Sequence, residues 1–240
     1  MLARDRVTVA WIDGGQVDGA FAASMIELFT ARHSRINSVL RIRGSLLSRQ
    51  RNEVVQAFLE NPQNQGAEWL FFIDSDETIT PEAFDKLCAA AHAEDRPVVA
   101  GLYFGAWNTG DVYPHATPMI LRWNVESNGY TPVWDFPEDA VIPIDAAGTG
   151  ALLVHRRVLE KIREDSNASP VAQHEAGKWC WFKDLPVGGQ WWGEDIYFCK
   201  RVQDAGFPIV AATGCRLDHH KEFWVSARQF VGPWKAVDDA

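Results

Sequence analysis

The sequence predicts an α/β fold with a mostly parallel central sheet covered by helices, and three observations support this prediction. The chain has 240 residues and is 47% hydrophobic, so it is long and apolar enough to bury a sizeable core. Strand and helix patterns alternate between residue 5 and about residue 102, which is typical of parallel strands joined by right-handed crossovers. From residue 103 onward, prolines and scattered aromatics predict loops and short antiparallel strands laid over the sheet.

The first predicted elements are two strands, each followed by a helix. A short apolar strand at residues 7–12 leads through a glycine-rich turn into an amphipathic helix over residues 20–32. Residues 38–42 form the second strand. Ser48 then predicts an N-cap for a helix that continues to Leu59, because a serine hydroxyl satisfies a free amide of the first turn.

The third strand is the most clearly marked element of the sequence. Residues 69–73 are a continuous apolar run, WLFFI, of the kind found in strands that are buried on both faces. Thr80 and Pro81 predict the N-cap and first turn of a helix through residue 91. Residues 97–102 predict the strand that follows this helix.

Regular structure in the second half is sparser. Residues 119–123 predict a short strand, and residues 148–162 predict a strand that passes directly into a helix. A further helix is expected over residues 194–205, where Gly206 ends it, and residues 209–211 predict a short strand after it.

Composition excludes several classes of function. The formal charge of −9 argues against a general nucleic-acid-binding surface, because phosphate neutralisation needs a surplus of Lys and Arg. No run approaches the ~20 apolar residues that span a bilayer, and the first apolar stretch is too short for a secretory signal, so we expect a cytoplasmic protein without a transmembrane segment. The cysteines lack metal or disulfide spacing and are predicted to be small buried hydrophobes, at positions 88, 180, 199 and 215.

An acidic motif, Asp74-Ser75-Asp76, directly follows the third predicted strand. In open α/β sheets, ligands bind beyond the carboxyl ends of the strands. Two aspartates one residue apart can offer oxygen ligands to Mg²⁺ or Mn²⁺, which also take phosphate oxygens and water. A polar turn that only caps a helix is the simpler alternative, but packing gives no reason for an ionised pair at the end of a buried strand.

Arginines are concentrated around the end of the second strand and the start of the next helix, against the charge of the whole chain. Positive charge in a first helical turn opposes the helix dipole, and a bound anion such as a diphosphate would resolve that conflict. Arg51 lies in line with Val55 and Phe58 and is therefore expected on the inward face. For Arg41 and Arg49 a solvated basic surface is the better interpretation.

Two later motifs add chemical groups. Trp191-Trp192-Gly193-Glu194-Asp195 places indole rings, which are good platforms for sugar rings, beside a carboxylate that can accept a hydroxyl proton. His219 and His220 follow a predicted strand, where a neutral imidazole could complete the shell of a divalent metal. Acidic residues are favoured in a first helical turn in any case, and a single histidine is more often a core or surface residue.

Taken together, these motifs resemble the GT-A-fold glycosyltransferases, the nucleotide-diphospho-sugar transferases, and are most similar to family 2-like bacterial or bacteriophage-encoded members. The resemblance covers about residues 5–225 and rests on motifs in the family's order. They are the D-x-D motif at Asp74-Ser75-Asp76, the basic pair Arg51-Asn52, the glycine strand around Gly148-Thr149-Gly150, the Trp192-Gly193-Glu194-Asp195 motif, and His219 or His220.

The resemblance implies a Rossmann-like sheet with helices on both faces and a smaller antiparallel or loop-rich acceptor region. It implies one domain, with a nucleotide-sugar half at about 5–102, a donor-sugar and acceptor half at about 103–225, and a C-terminal tail at 226–240. The donor would be a nucleotide-diphosphate sugar, with a UDP-sugar favoured, and the acceptor a glycan or a protein.

The resemblance also implies roles for the residues. A Mn²⁺ or Mg²⁺ ion, held by Asp74, Asp76 and His219 or His220, would bridge the donor diphosphate and stabilise the leaving nucleotide. In an inverting enzyme Asp195 would deprotonate the acceptor hydroxyl while Glu194 holds the donor sugar; in a retaining enzyme the pair would orient sugar and acceptor. The nucleotide would contact Asp13, Arg43, Arg51, Asn52, Asp74 and Ser75, and the donor sugar and acceptor would contact Gly148, Thr149, Gly150, Trp191, Trp192 and Gly193.

Two alternatives use the same residues. Residues 74–78 also fit D-x-D-x-T, the opening motif of haloacid-dehalogenase-like phosphatases, in which the first aspartate is a nucleophile beside Mg²⁺. A carbohydrate-binding protein without turnover is the second alternative. The chain's 11 tryptophans bear on this choice. We expect Trp191 and Trp192 to line a sugar-binding cleft, and Trp123 and Trp134 to serve packing.

Overall fold

The computed structural model describes residues 6–107, 115–168 and 181–222. In its first half, the predicted alternation of strands and helices is confirmed. The elements are β1 (Val7–Asp13), α1 (Gly19–Arg32), β2 (Ile36–Arg43), α2 (Leu47–Glu60), β3 (Trp69–Ile73), β4 (Glu77–Thr78), α3 (Pro81–Ala90) and β5 (Val98–Leu102).

The second half contains mostly short strands and two helices, as predicted. The elements are β6 (Phe104–Trp107), β7 (His115–Pro118), β8 (Ile120–Asn124), β9 (Gly129–Pro132), β10 (Val141–Ile144), β11 (Ala146–Ala147), β12 (Ala151–His155), α4 (Arg156–Ala168), β13 (Leu185–Val187), β14 (Gln190–Trp192), α5 (Glu194–Asp204), β15 (Ile209–Arg216) and β16 (Asp218–His219).

Within the described residues, the central sheet has seven strands in the order β10-β15-β5-β12-β3-β1-β2. Strand β1 is parallel to both β2 and β3, and β15 is parallel to β5. Strand β12 runs antiparallel between β3 and β5, and β10 is antiparallel to β15 at the edge. The sheet is therefore mostly parallel, as the sequence predicts.

The two faces of the sheet are covered by two separate apolar cores. In β3, Leu70 and Phe72 belong to one core, while Phe71 and Ile73 belong to the other, because successive side chains of a strand point to opposite faces. Helices α2, α4 and α5 pack on the first face, and α1 and α3 on the second. This two-sided burial explains the unbroken apolar run in the sequence.

The helix ends agree with the sequence at α3 and α5 but not at α2. The Thr80 hydroxyl accepts a hydrogen bond from the Ala83 amide, and Gly206 has a φ of +85° just beyond α5. The prediction that Ser48 caps α2 is wrong: the cap position is Leu46, which makes no side-chain cap bond. Ser48 lies inside the first turn.

Small antiparallel sheets accompany the central sheet in the described ranges. They pair β6 with β7, β13 with β14, β16 with β4, and β8 with both β9 and β11. Cys199 and Cys215 are buried as predicted, whereas Cys88 is partly exposed; Cys180 and the tail at 226–240 lie outside the described residues. None of the helices in the described ranges is both long and apolar enough to cross a bilayer.

Candidate active site

The candidate site lies beyond the carboxyl ends of β1 and β3. Asp74, Ser75 and Asp76 follow β3 directly, and Asp13 is the last residue of β1. Between them is a cleft of about 620 Å³. Its lining comes from the ends of both strands and the start of α2, namely Ile12, Asp13, Gly14, Gly44, Ser45, Leu47, Gln50, Arg51, Asp74, Ser75 and Asp76.

Arg51 joins the two acidic motifs. Its guanidinium, on a side chain only 6% exposed, lies 3.1 Å from a carboxylate oxygen of Asp74 and also pairs with Glu194. Helix α2 presents Arg51 inward together with Val55 and Phe58, as the spacing predicts. The structure thus brings together carboxylates that are 120 positions apart in the sequence (194 − 74 = 120).

A second cluster forms around Asp76. One of its carboxylate oxygens lies 3.2 Å from Nε2 of His219 and 3.0 Å from Nζ of Lys221. Burial opposes ionisation of Asp76, but the contact with His219 and the hydrogen bond from the Lys221 ammonium outweigh that effect and lower its pKa to about 2. Asp76 is therefore a carboxylate at any pH near neutrality.

The orientation of His219 favours a cation beside Asp76. The Nδ1 atom lies 2.9 Å from the Phe104 carbonyl oxygen, and because a carbonyl only accepts, Nδ1 is the donor. Nε2 is then left facing a negatively charged oxygen of Asp76, and a proton or a metal ion on Nε2 would satisfy both groups. With a metal ion at this position, Nε2 and the Asp76 carboxylate would be its protein ligands.

The second histidine has a different neighbour. Nδ1 of His220 lies 2.7 Å from a carboxylate oxygen of Asp18, and its backbone amide donates to the Asp76 carbonyl. Asp18 also caps α1 through the Ala20 amide. Of the predicted metal residues, the structure thus brings together Asp74, Asp76 and His219. His220 instead contacts Asp18, the residue that caps α1.

Within the described residues, no group of three or more His, Cys, Asp or Glu side chains is arranged to hold a metal ion. Asp76 and His219 alone would supply two protein ligands. This donor set fits Mg²⁺ or Mn²⁺ in a substrate complex, because such ions keep water ligands and bind phosphate oxygens in place of a full protein cage.

The glycine segment packs against the D-x-D motif. The Asp74 amide donates to the Gly150 carbonyl at 3.1 Å. A Cβ atom at Gly148 would collide with the Tyr103 hydroxyl, and one at Gly150 would collide with the Glu77 carboxylate. Glycine is thus required here by close approach, in the segment that the family resemblance assigns to the donor sugar.

Glu77 is a site residue that the sequence reasoning missed. Its side chain is fully buried, and neither carboxylate oxygen has a hydrogen-bond partner within the described residues. Burial, together with the nearby charges of Asp74 and Asp76, raises the pKa of Glu77 well above its usual range. The only signal in the sequence was a third acidic residue directly after the D-x-D motif.

The last acidic motif begins α5. Gly193 occupies the cap position, and Glu194 and Asp195 form the first turn. Glu194 is taken up by Arg51, whereas one oxygen of Asp195 accepts the Ile196 amide at 2.7 Å. Burial raises the pKa of Asp195, which makes its carboxylate a stronger base than an exposed aspartate.

The tryptophans predicted to bind sugar or to serve packing differ in their exposure. Trp191 is 70% exposed on the β13–β14 hairpin, and the Trp192 ring meets the Tyr130 ring edge to face. The prediction that Trp134 serves packing is wrong, since it is 65% exposed, and Trp123 is 39% exposed while contacting Tyr130. Among the described tryptophans, Trp181 is fully buried, and Trp69 is buried within β3.

Two of the residues predicted to bind the nucleotide, Asp13 and Asn52, make their polar contacts within the protein. The Asp13 carboxylate binds the Arg41 guanidinium at 2.6 Å and the Gly15 amide at 2.7 Å. The Asn52 amide group donates to the Ser48 and Phe182 carbonyls and accepts from the Trp181 and Phe182 amides, so it has no free hydrogen-bonding group for a nucleotide. Arg43 is exposed beside Gly14 and Gly15.

Comparison with solved structures identifies the fold. The crystal structure of A197 from STIV has a TM-score of 0.56 and 20% sequence identity, over 90% of this chain and 86% of that one. The crystal structure of GalNAc-T7 with UDP, GalNAc and Mn²⁺ has a TM-score of 0.54 and 11% identity, over 89% of this chain and 43% of that one. The chain therefore has a GT-A-like α/β fold. No protein-family model and no curated protein sequence matches it.

Proposed function

We propose that the protein is a metal-dependent glycosyltransferase that transfers a sugar from a nucleotide-diphosphate sugar to an acceptor hydroxyl. The observation that carries the proposal is the bridge made by Arg51 between Asp74 and Glu194, in which Arg51 and Asp74 line the 620 Å³ cleft. A buried cation that joins two acidic motifs at the carboxyl edge of the sheet has no packing purpose, since apolar residues would fill the same space at lower cost.

The charges of the site support a divalent metal. Four carboxylates, those of Asp74, Asp76, Glu194 and Asp195, face two cationic side chains, Arg51 and Lys221. A donor diphosphate would add negative charge to this surplus, so the site needs a further cation. Asp76 and His219 would hold that cation, and when bound it would neutralise the charge that develops on the leaving diphosphate.

The protein's own groups would divide the remaining work. Arg51 keeps Asp74 and Glu194 in fixed positions, and the glycine segment lets Tyr103 and Glu77 pack closely behind the D-x-D motif. Of the two carboxylates that begin α5, Asp195 is the one that does not pair with Arg51. Its raised pKa suits a general base that takes the acceptor proton. This division favours an inverting reaction, in which the acceptor oxygen attacks the anomeric carbon directly.

A UDP-sugar is the proposed donor, and a glycan or protein the proposed acceptor. GalNAc-T7, which shares the fold, is a protein whose structure contains UDP, GalNAc and Mn²⁺. The phosphatase alternative has less support, because the Arg51 guanidinium pairs with one oxygen of Asp74, the nucleophile that this reaction requires, and reduces its nucleophilicity.

The test is incubation with a panel of nucleotide sugars and Mn²⁺, with release of nucleoside diphosphate as the readout. We expect slow donor hydrolysis that is lost with a chelator and in Asp76→Ala. In Asp195→Asn, transfer to an added acceptor should fall at least 100-fold while donor binding persists. Release of phosphate from an aryl phosphate, with no activity on any nucleotide sugar, would instead establish the phosphatase.

A further inference from the structure

Lys221 occupies an unusual position for a surface lysine. Its ammonium lies 3.0 Å from the same carboxylate oxygen of Asp76 that His219 approaches at 3.2 Å. Asp76 is one of the two residues that would hold the metal under the proposed function. In the free protein, the Lys221 ammonium therefore occupies a position at this oxygen that a metal ion would need.

The two groups on Asp76 differ in how firmly they are held. His219 is fixed from behind by the Phe104 carbonyl and packs edge to face against Tyr103, and its side chain is only 11% exposed. The Lys221 side chain is 41% exposed, and its ammonium is a point charge on a flexible stem. An exposed ion pair of this kind is weak and easily exchanged. A cation that arrives at Asp76 would displace Lys221 and keep His219.

Lys221 also lines a second cavity, of about 310 Å³, on the β6 side of the acidic motif. Asp74 and Asp76 line both this cavity and the larger nucleotide cleft, so Lys221 and the cleft meet at the D-x-D motif. A lysine displaced from Asp76 would remain within reach of an anion bound at that motif, because its stem is anchored two residues beyond His219.

We propose that Lys221 is a stand-in cation: it neutralises Asp76 in the free protein, yields Asp76 to the divalent metal, and then binds the donor diphosphate. This inference rests on the proposed function and assigns Lys221 to its metal and phosphate steps. It gives the residue two opposite effects. Lys221 opposes metal binding in the absence of donor, and favours nucleotide binding once the metal is present.

The experiment is a pair of titrations on wild type, Lys221→Met and a control. Mn²⁺ binding is measured by electron paramagnetic resonance without nucleotide, and uridine diphosphate binding is measured by calorimetry at saturating Mn²⁺. Lys86→Met is the matched control, because Lys86 also pairs with an aspartate, Asp139 at 2.7 Å, and is similarly exposed, but lies outside the site. Circular dichroism verifies that each variant is folded.

We expect Lys221→Met to bind Mn²⁺ about two- to five-fold more tightly, the range for release of an exposed ion pair. It should bind uridine diphosphate about ten-fold more weakly, since a charge-assisted hydrogen bond is lost. Lys86→Met should match wild type in both. A purely structural defect would weaken both affinities together, so opposite signs identify the stand-in role.

Unchanged or weaker Mn²⁺ binding in Lys221→Met, or no Mn²⁺ binding by wild type, would overturn the inference. Failure of the proposed function gives a different result: wild type would bind Mn²⁺ but no nucleoside diphosphate. In that case tighter Mn²⁺ binding by Lys221→Met would still support displacement of Lys221 by the metal, and the diphosphate step alone would be overturned.

Discussion

Arg51 shows how one buried side chain can organise a site made from distant segments. Its planar guanidinium presents donors in a fork and meets Asp74 and Glu194 through different nitrogens. Without it, Glu194 would be a largely buried carboxylate with no cationic partner, and the half-buried Asp74 would lose its ion pair. The residue therefore couples the stability of the site to its geometry, and the two should be lost together.

Arg51→Lys should separate charge from geometry. Lysine keeps the positive charge, but its single ammonium cannot hold both carboxylates in the same arrangement, so we expect donor turnover to fall about 100-fold. Arg51→Met, which removes the charge, should also cost about 3–5 kcal/mol of unfolding free energy in urea. Arg49→Lys, on the exposed side of the same turn, is the control. Full activity in Arg51→Lys would contradict the bridging role.

Glu77 gives a prediction about stability and pH. Its pKa is raised in the fold from a normal value of 4.5, so its contribution to stability is fully present below about pH 4.5 and is lost as the pH rises through the folded pKa. The side chain of the Glu77→Gln variant does not ionise, so the variant lacks this loss of stability at higher pH. We expect its melting temperature relative to wild type to increase between pH 5 and pH 8, by the equivalent of about 1–3 kcal/mol.

The control for Glu77 is the exposed Glu126→Gln, whose melting temperature should follow wild type at every pH. Scanning calorimetry over the pH series provides the measurement. A difference between Glu77→Gln and wild type that stays constant with pH would show that burial of Glu77 does not oppose its ionisation.

At the scale of elements, close packing against Tyr103 requires glycine at position 148, in the segment before β12. The Tyr103 hydroxyl fills the space where Gly148 lacks a side chain. Gly148→Ala should therefore destabilise the fold by about 1–3 kcal/mol through overpacking. Tyr103→Phe removes the colliding oxygen, so the double variant should regain part of that loss in denaturant titrations. Gly19→Ala, where an added Cβ meets nothing within 4 Å, should be nearly neutral.

The elements themselves were largely predictable from sequence, for reasons that differ between them. Residues 69–73 were recognisable because burial on both faces removes every polar position from the run. The start of α3 was marked by local chemistry, since Thr80 caps the helix with its own side chain. Helix α2 lacks such a cap, so Ser48 was misleading as a signal for its start. The N-terminal turn of α2 lies at the cleft, where a ligand rather than a side chain can hydrogen-bond to its free amides.

Side-chain partnerships were less predictable than elements. The inward position of Arg51 followed from helical spacing, but its partner Glu194 comes from another helix. Asn52 belongs to the basic pair Arg51-Asn52 of the family resemblance. Its side chain nevertheless hydrogen-bonds to the backbone of Phe182, 130 positions away. The sequence did not assign Glu77 and Lys221 to the site, because their importance depends on burial and on the neighbours that the fold supplies.

At the scale of the whole molecule, the carboxyl edge of the sheet gathers segments from nearly the full described chain, at residues 13, 43–51, 74–77, 148–150, 194–195 and 219–221. The opposite edge has a cavity of about 710 Å³, which contains none of these segments. Cavity size alone therefore does not locate the site; the convergence of charged groups at the strand ends does.

Because the site is contributed by so many segments, a bound donor should stabilise the whole fold. A ligand at 100 times its dissociation constant adds about 2.7 kcal/mol, which corresponds to a rise of about 5–10 °C in melting temperature for a chain of this size. The rise should require Mn²⁺ and uridine diphosphate together, since the carboxylates of the site repel a diphosphate that arrives without the metal. Differential scanning fluorimetry with each ligand alone, with both, and with both in Asp76→Asn tests this dependence. An equal rise with uridine diphosphate alone would mean that Arg51 and Lys221 suffice to bind the diphosphate, and that the metal is not part of donor binding.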